Sequence, residues 1–127
     1  MLNIRYYTLV DFLRFDAQGK IDWEKAFNII QSVSEAVAIE PDQHVLVDLR
    51  QTTTTLPRHP HVGKIHELIV EKLGSFEGKM ALIIPPDPER VTVNQALKEK
   101  LVARGFRFNF FHTFEDAMEW LADIKPY

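Results

Sequence analysis

Thr52, Thr53, Thr54 and Thr55 stand in a row, and Arg58, His59 and His61 follow closely in the stretch QTTTTLPRHPH. Hydroxyls, a guanidinium and imidazoles at this density can hold an anion, ligate a metal or accept a phosphoryl group. Each chemistry needs a further part. A phosphate cradle needs a glycine-rich turn, or the Lys-Ser or Lys-Thr of a P-loop, and the stretch has neither. A metal site on a helix needs ligands that share a face. His61 and His66 are spaced five apart, and His66-Glu67 begins an HExxH pattern that does not continue. A serine hydrolase needs a nucleophile elbow, whereas Ser32, Ser34 and Ser75 sit in no GxSxG pattern. Asp48 and Asp87 close two apolar runs, where a carboxylate either faces a site or caps the segment that follows. Thr52, Thr53, Thr54, Thr55, Arg58, His59 and His61 are therefore expected to form a ligand- or partner-binding loop. No catalytic residue, metal ligand or cofactor is assigned.

The elements that must position this loop are read from periodicity. Ile4 to Val10 and Phe12 to Asp16 are rich in aromatic and branched residues and predict two strands joined as a hairpin before Gly19. Asp22 caps a helix whose apolar positions are Trp23, Ala26, Phe27, Ile30, Val33 and Val37, ended by Pro41. HVLVDL, His44 to Leu49, reads as a strand covered on both faces. Val62, Ile65, Leu68, Ile69 and Leu73 mark a second helix, with Gly74 placed for a left-handed cap. KMALII is a strand that the following PPDP cannot extend, because proline has no amide donor. Val93, Ala96, Leu97 and Leu101 mark a third helix stopped by Gly105, and RGFRFNFF restores strand alternation. Thr113 caps a last helix, HTFEDAMEWLADI. The order ββαβαβαβα predicts an α/β mixed sheet with an N-terminal antiparallel hairpin and helices packed on the sheet.

Composition limits what such a domain does. A length of 127 residues fits one domain spanning 1–127, and 46% hydrophobic with 26% charged residues is a globular balance. A formal charge of -3 provides no basic face for nucleic acid. Cysteine is absent, which excludes a thiolate site and fits a reducing cytoplasm. The start, MLNIRYYTLVDFLRF, has no signal-peptide pattern, and no run of about 18 apolar residues predicts a membrane span. A cytoplasmic location is expected. The aromatic residues fall mostly on faces that must be buried, except Phe76 in the turn GSFEG; exposed Phe76 or the basic face of the third helix would serve a homodimer.

The strand HVLVDLR with its loop and helix, the strand KMALII, and above all the ending FRFNFFHTFEDAMEWLADI resemble the SpoIIAA-like branch of the STAS-type domains, also described as STAS/SEC14-like. In that family the last strand commonly leads into a Phe, two acidic residues, an Ala and a Trp-Leu pair, matched here by Phe114-Glu115-Asp116-Ala117 and Trp120-Leu121. Anti-sigma-factor antagonists of the superfamily carry a phosphorylatable serine in an Asp-Ser-Ser-Gly motif. If Gly63 takes the place of its glycine, the serines fall on His61 and Val62, and counting from Asp48 instead reaches Pro57. Neither alignment supplies a hydroxyl. The resemblance implies a STAS/SpoIIAA-like fold and a non-enzymatic binding or regulatory domain. Its contacts would be a protein partner or a small apolar, anionic or lipid-like ligand at the same loop. Two alternatives stand beside it. One is a small hydrolase or metal-dependent enzyme using His59, His61 and His66 with Asp48. The other is a partner switch phosphorylated within Thr52 to Thr55.

Overall fold

A computed structural model of the chain describes residues 4–8, 12–54 and 58–122, with side chains at 12–54 and 62–122. The strands are β1 (Ile4–Thr8), β2 (Phe12–Ile21), β3 (His44–Thr54), β4 (Lys79–Ile83) and β5 (Arg107–Phe111). The helices are α1 (Trp23–Ile39), α2 (Arg58–Leu73), α3 (Pro88–Ala103) and α4 (Phe114–Ala122). The strands form one sheet in the order β1-β2-β3-β4-β5, with β1 antiparallel to β2 and every later neighbour parallel.

Sequential order has a direct consequence for the helices. Each parallel connection steps one place in the same direction, so right-handed crossovers put all the connecting helices on one face. The core divides accordingly. Leu13, Phe15, Val45, Val47, Met80 and Phe108 turn toward α1, α2 and α3, while their neighbours Phe12, Leu46, Ala81 and Ile83 turn toward Ala117 and Leu121 of α4. Phe111 and Trp120 rings lie 5.8 Å apart, and the Lys79 ammonium donates to the Trp120 carbonyl at 2.9 Å. The FEDAMEWL ending is therefore the docking surface of α4.

Local rules set the element ends. The Asp22 carboxylate accepts from the Lys25 amide and Asp87 from the Glu89 amide, each at 2.9 Å, so both are N-caps. Gly105 ends α3 with a left-handed φ of 92°, as the third-helix pattern predicts. Gly74 does not take such a φ, contrary to the cap expected there. Both strands flanking the site outrun their predicted ends. β2 continues past Asp16 through a register shift between Asp16 and Gln18, with Gly19 at φ 95°, and reaches Ile21. β3 continues past Leu49 to Thr54, with Gln51 through Thr54 pairing Gln18 through Ile21. Beyond Asp48 no partner on β4 accompanies it, so this part of β3 is an overhang attached to β2.

Phe27 and Phe76 also depart from expectation. Phe27 is 43% exposed, and its ring receives the Lys72 ammonium 5.5 Å from the centroid rather than entering the core. Phe76 is half-buried against the three-helix core, over Gly78, where an added Cβ would come within 2.7 Å of its ring. It packs on this core instead of standing as the exposed aromatic suggested for a homodimer.

Candidate functional site

A cavity of about 400 Å³ lies between the sheet and the three-helix layer. α2 packs on α1 and α3 beside it. Lateral ties hold it there. Ser34 Oγ donates to the Lys72 carbonyl at 3.1 Å, and the Lys64 ammonium sits 5.2 Å from the Trp23 ring centroid. The cavity wall is apolar, with Ile30, Val33, Val47, Ile69, Met80 and Leu97 among its residues. Its exposed lining residues mark the opening: Thr53 and Thr54 on the β3 overhang, and Asp87 and Glu89 where α3 begins. A sequentially ordered sheet has no point at which strand order reverses, hence no crevice of the doubly wound kind. This cavity lies beneath the helices instead.

Two polar side chains of α3 enter this apolar space. Arg90 and Asn94 share the inward stripe with Leu97 and Leu101, and both are buried. The Arg90 guanidinium donates from one terminal nitrogen to the Thr52 carbonyl at 2.9 Å and from the other to Thr52 Oγ1 at 3.1 Å. Burial disfavours its charged form and pulls its pKa below the usual arginine range, against the opposing charge of Asp87. It forms no ion pair among the described residues. Asn94 Nδ2 donates to the Arg90 carbonyl at 2.8 Å.

The threonine run thus separates into different roles. Thr52 is 5% exposed, and its hydroxyl donates to the Leu49 carbonyl at 2.6 Å while accepting from Arg90. Thr53 and Thr54 are exposed, and the Thr54 hydroxyl donates to the Ile21 carbonyl at 3.3 Å. All three belong to a strand, not to the predicted loop; β-branched side chains suit an extended ribbon. Thr55 lies outside the described residues. Arg58, His59 and His61 fall in the first turns of α2, and their side chains lie outside the described ones.

The opposite face carries a separate charged network. Asp48 Oδ2 accepts from Arg50 at 2.7 Å and from Arg14 at 3.4 Å, and Arg14 Nε donates to Asp16 Oδ1 at 2.9 Å. The Arg14 guanidinium also lies 5.0 Å from the Phe114 ring centroid on α4. Burial alone would raise the Asp48 pKa, but hydrogen bonds from the Arg50 side chain and amide, with the charges of Arg50 and Arg14, hold it below the ordinary value. Asp48 and Asp87 consequently do not share a site. Asp48 faces α4, whereas His66 belongs to α2 beyond the sheet, so this pair is not assembled for catalysis. Among the described residues no three His, Asp or Glu side chains are grouped to hold a metal ion.

No family model matches the chain, and no curated protein does. Solved structures do. An uncharacterised protein of the DUF3478 family from Shewanella loihica, described as having a SpoIIAA-like fold, gives a TM-score of 0.60 at 22% identity, covering 94% of this chain and 93% of its own. The fold of this chain is SpoIIAA-like. An anti-sigma factor antagonist from Mycobacterium paratuberculosis gives a TM-score of 0.66 at 18% identity, over 97% of this chain and 96% of that one. SpoIIAA in its unphosphorylated form gives 0.54 at 11% identity, over 96% and 100%. At these identities the SpoIIAA-like likeness is one of architecture, and it extends over nearly the whole length of each chain. No helix among the described residues is long and apolar enough to cross a membrane.

Sequence reading missed Arg90 and Asn94. Their signal was phase: positions 90 and 94 continue backward the inward stripe of Leu97 and Leu101. A charged residue on a buried helical stripe marks either a network or a site.

Proposed function

We propose that this chain is a non-enzymatic, cytoplasmic binding domain of the STAS/SpoIIAA-like type that takes a small apolar molecule into the cavity beneath α1, α2 and α3. The observation that carries this reading is the cavity itself: about 400 Å³, apolar inside, and rimmed by polar groups at one end. Binding sites for small molecules have this size and distribution of polarity. Thr52, Thr53 and Thr54 contribute one side of the opening, and Thr55, Arg58, His59 and His61 complete the contact segment in this reading.

Titration with Nile red, a neutral apolar dye, tests it. Wild type is expected to give one saturable binding transition. Val93→Phe, which adds an aromatic ring at the cavity lining, is expected to lose that transition while keeping its helical circular dichroism and its melting temperature. Absence of saturable uptake by wild type, or equal uptake by a folded Val93→Phe, would reject the cavity as a ligand site.

A protein partner is the second reading. It is favoured by the exposed Thr53 and Thr54 and by the fold shared with an anti-sigma factor antagonist. A photocrosslinker at position 53 is expected to give one discrete adduct in cells, and only diffuse adducts would count against a specific partner at this rim.

A further inference from the structure

Apolar uptake alone does not account for Arg90. Its two bonds to Thr52 satisfy the β3 overhang, which has no β4 partner there, but a neutral donor is sufficient to cap a carbonyl and a hydroxyl. The guanidinium has five N–H donors in a planar fork suited to a carboxylate. It is 8% exposed, lines the cavity and forms no ion pair among the described residues. Buried cations are normally paired, because leaving water is costly for an unneutralised charge. Beside it the Asn94 amide spends its nitrogen on the Arg90 carbonyl, and its oxygen has no hydrogen-bond partner among the described residues. Donors with an adjacent acceptor therefore stand at the polar end of an otherwise apolar chamber.

The Asp87 carboxylate limits the charge that this end accepts. It lines the opening, and its charge reaches Arg90. One negative charge is stabilised by the guanidinium, whereas a second also meets the repulsion of Asp87. We infer that Arg90 is the specificity-determining residue for an amphipathic monocarboxylate, whose carboxylate it receives and whose hydrocarbon tail occupies the cavity. This rests on the cavity reading above and specifies its ligand class.

Isothermal titration calorimetry with three twelve-carbon amphiphiles separates the two readings. At neutral pH, and below their aggregation thresholds, dodecanoate is expected to bind wild type about tenfold more tightly than dodecanol. Dodecyl phosphate, with its greater charge, is expected to bind more weakly than dodecanoate. Arg90→Gln is expected to bring dodecanoate and dodecanol to similar affinity, and Arg90→Lys to restore part of the preference. Equal binding of dodecanoate and dodecanol by wild type overturns the role of Arg90 but leaves the cavity as a neutral apolar site. Tighter binding of the phosphate overturns the single-charge specificity. Failure of all three probes, together with failure of Nile red, removes the cavity reading and this inference with it. The wild-type comparison decides the matter even if an Arg90 variant does not fold.

Discussion

The two faces of the sheet handle charge in opposite ways. On the α4 face, Arg14, Asp16, Asp48 and Arg50 form a chain of two cations and two anions, each within hydrogen-bonding reach of its neighbour. On the three-helix face, Arg90 is buried and bonded to Thr52, but it is paired with no carboxylate among the described residues. Charge that is answered internally fixes structure. Charge with no bonded carboxylate beside an apolar chamber is available to something that enters it.

The largest effect expected in separating the faces is on packing. Leu46 is fully buried on the α4 face, so Leu46→Ala should cost about 2–5 kcal/mol by urea denaturation. A smaller cost would mean that the α4 face is as loosely filled as the other. Next comes Asp48→Ala. The Arg50 side chain is 39% exposed, and solvent compensates for part of its lost partner, so about 1–2 kcal/mol is expected rather than the 3–5 of a fully buried pair.

The same carboxylate gives a pH dependence of defined sign. Its folded pKa lies below its unfolded value, so its contribution is complete above about pH 4 and is lost as pH falls through the folded pKa. Denaturation curves between about pH 5 and about pH 2 should show wild type losing more stability than Asp48→Asn. Equal losses would show that the network does not favour the ionised form. The finest comparison lies within the threonines. Thr52→Val removes a hydroxyl shared by Leu49 and Arg90 and should cost about 1–2 kcal/mol, whereas Thr53→Val on the exposed side should stay within about 0.5 kcal/mol by the same measurement.

Much of this architecture is legible in the sequence because local and global requirements agree. The helical stripe of α1, the capping carboxylates of Asp22 and Asp87 and the Gly105 terminator each act where the pattern puts them. The ends of β2 and β3 were harder to read. Gly19 resembles a turn residue but serves a bulged strand, and the threonines resemble a polar loop although β-branching favours extension. The site was only half visible for a related reason. Thr52 to Thr54 attract attention as a run, whereas Arg90 and Asn94 come near through the crossover that carries α3 back over the sheet. Spacing along one chain reveals the stripe to which they belong but not the strand they meet.

The strand order also bears on how the molecule is assembled during synthesis. Strands leave the ribosome in the order in which they stand in the sheet, so each new strand–helix unit meets an edge already made by its predecessor. No strand has to be inserted between two that are already paired. Growth by accretion keeps strand pairing between consecutive segments and delays α4 until last, when its Phe114-to-Leu121 surface covers the face that the earlier helices cannot reach.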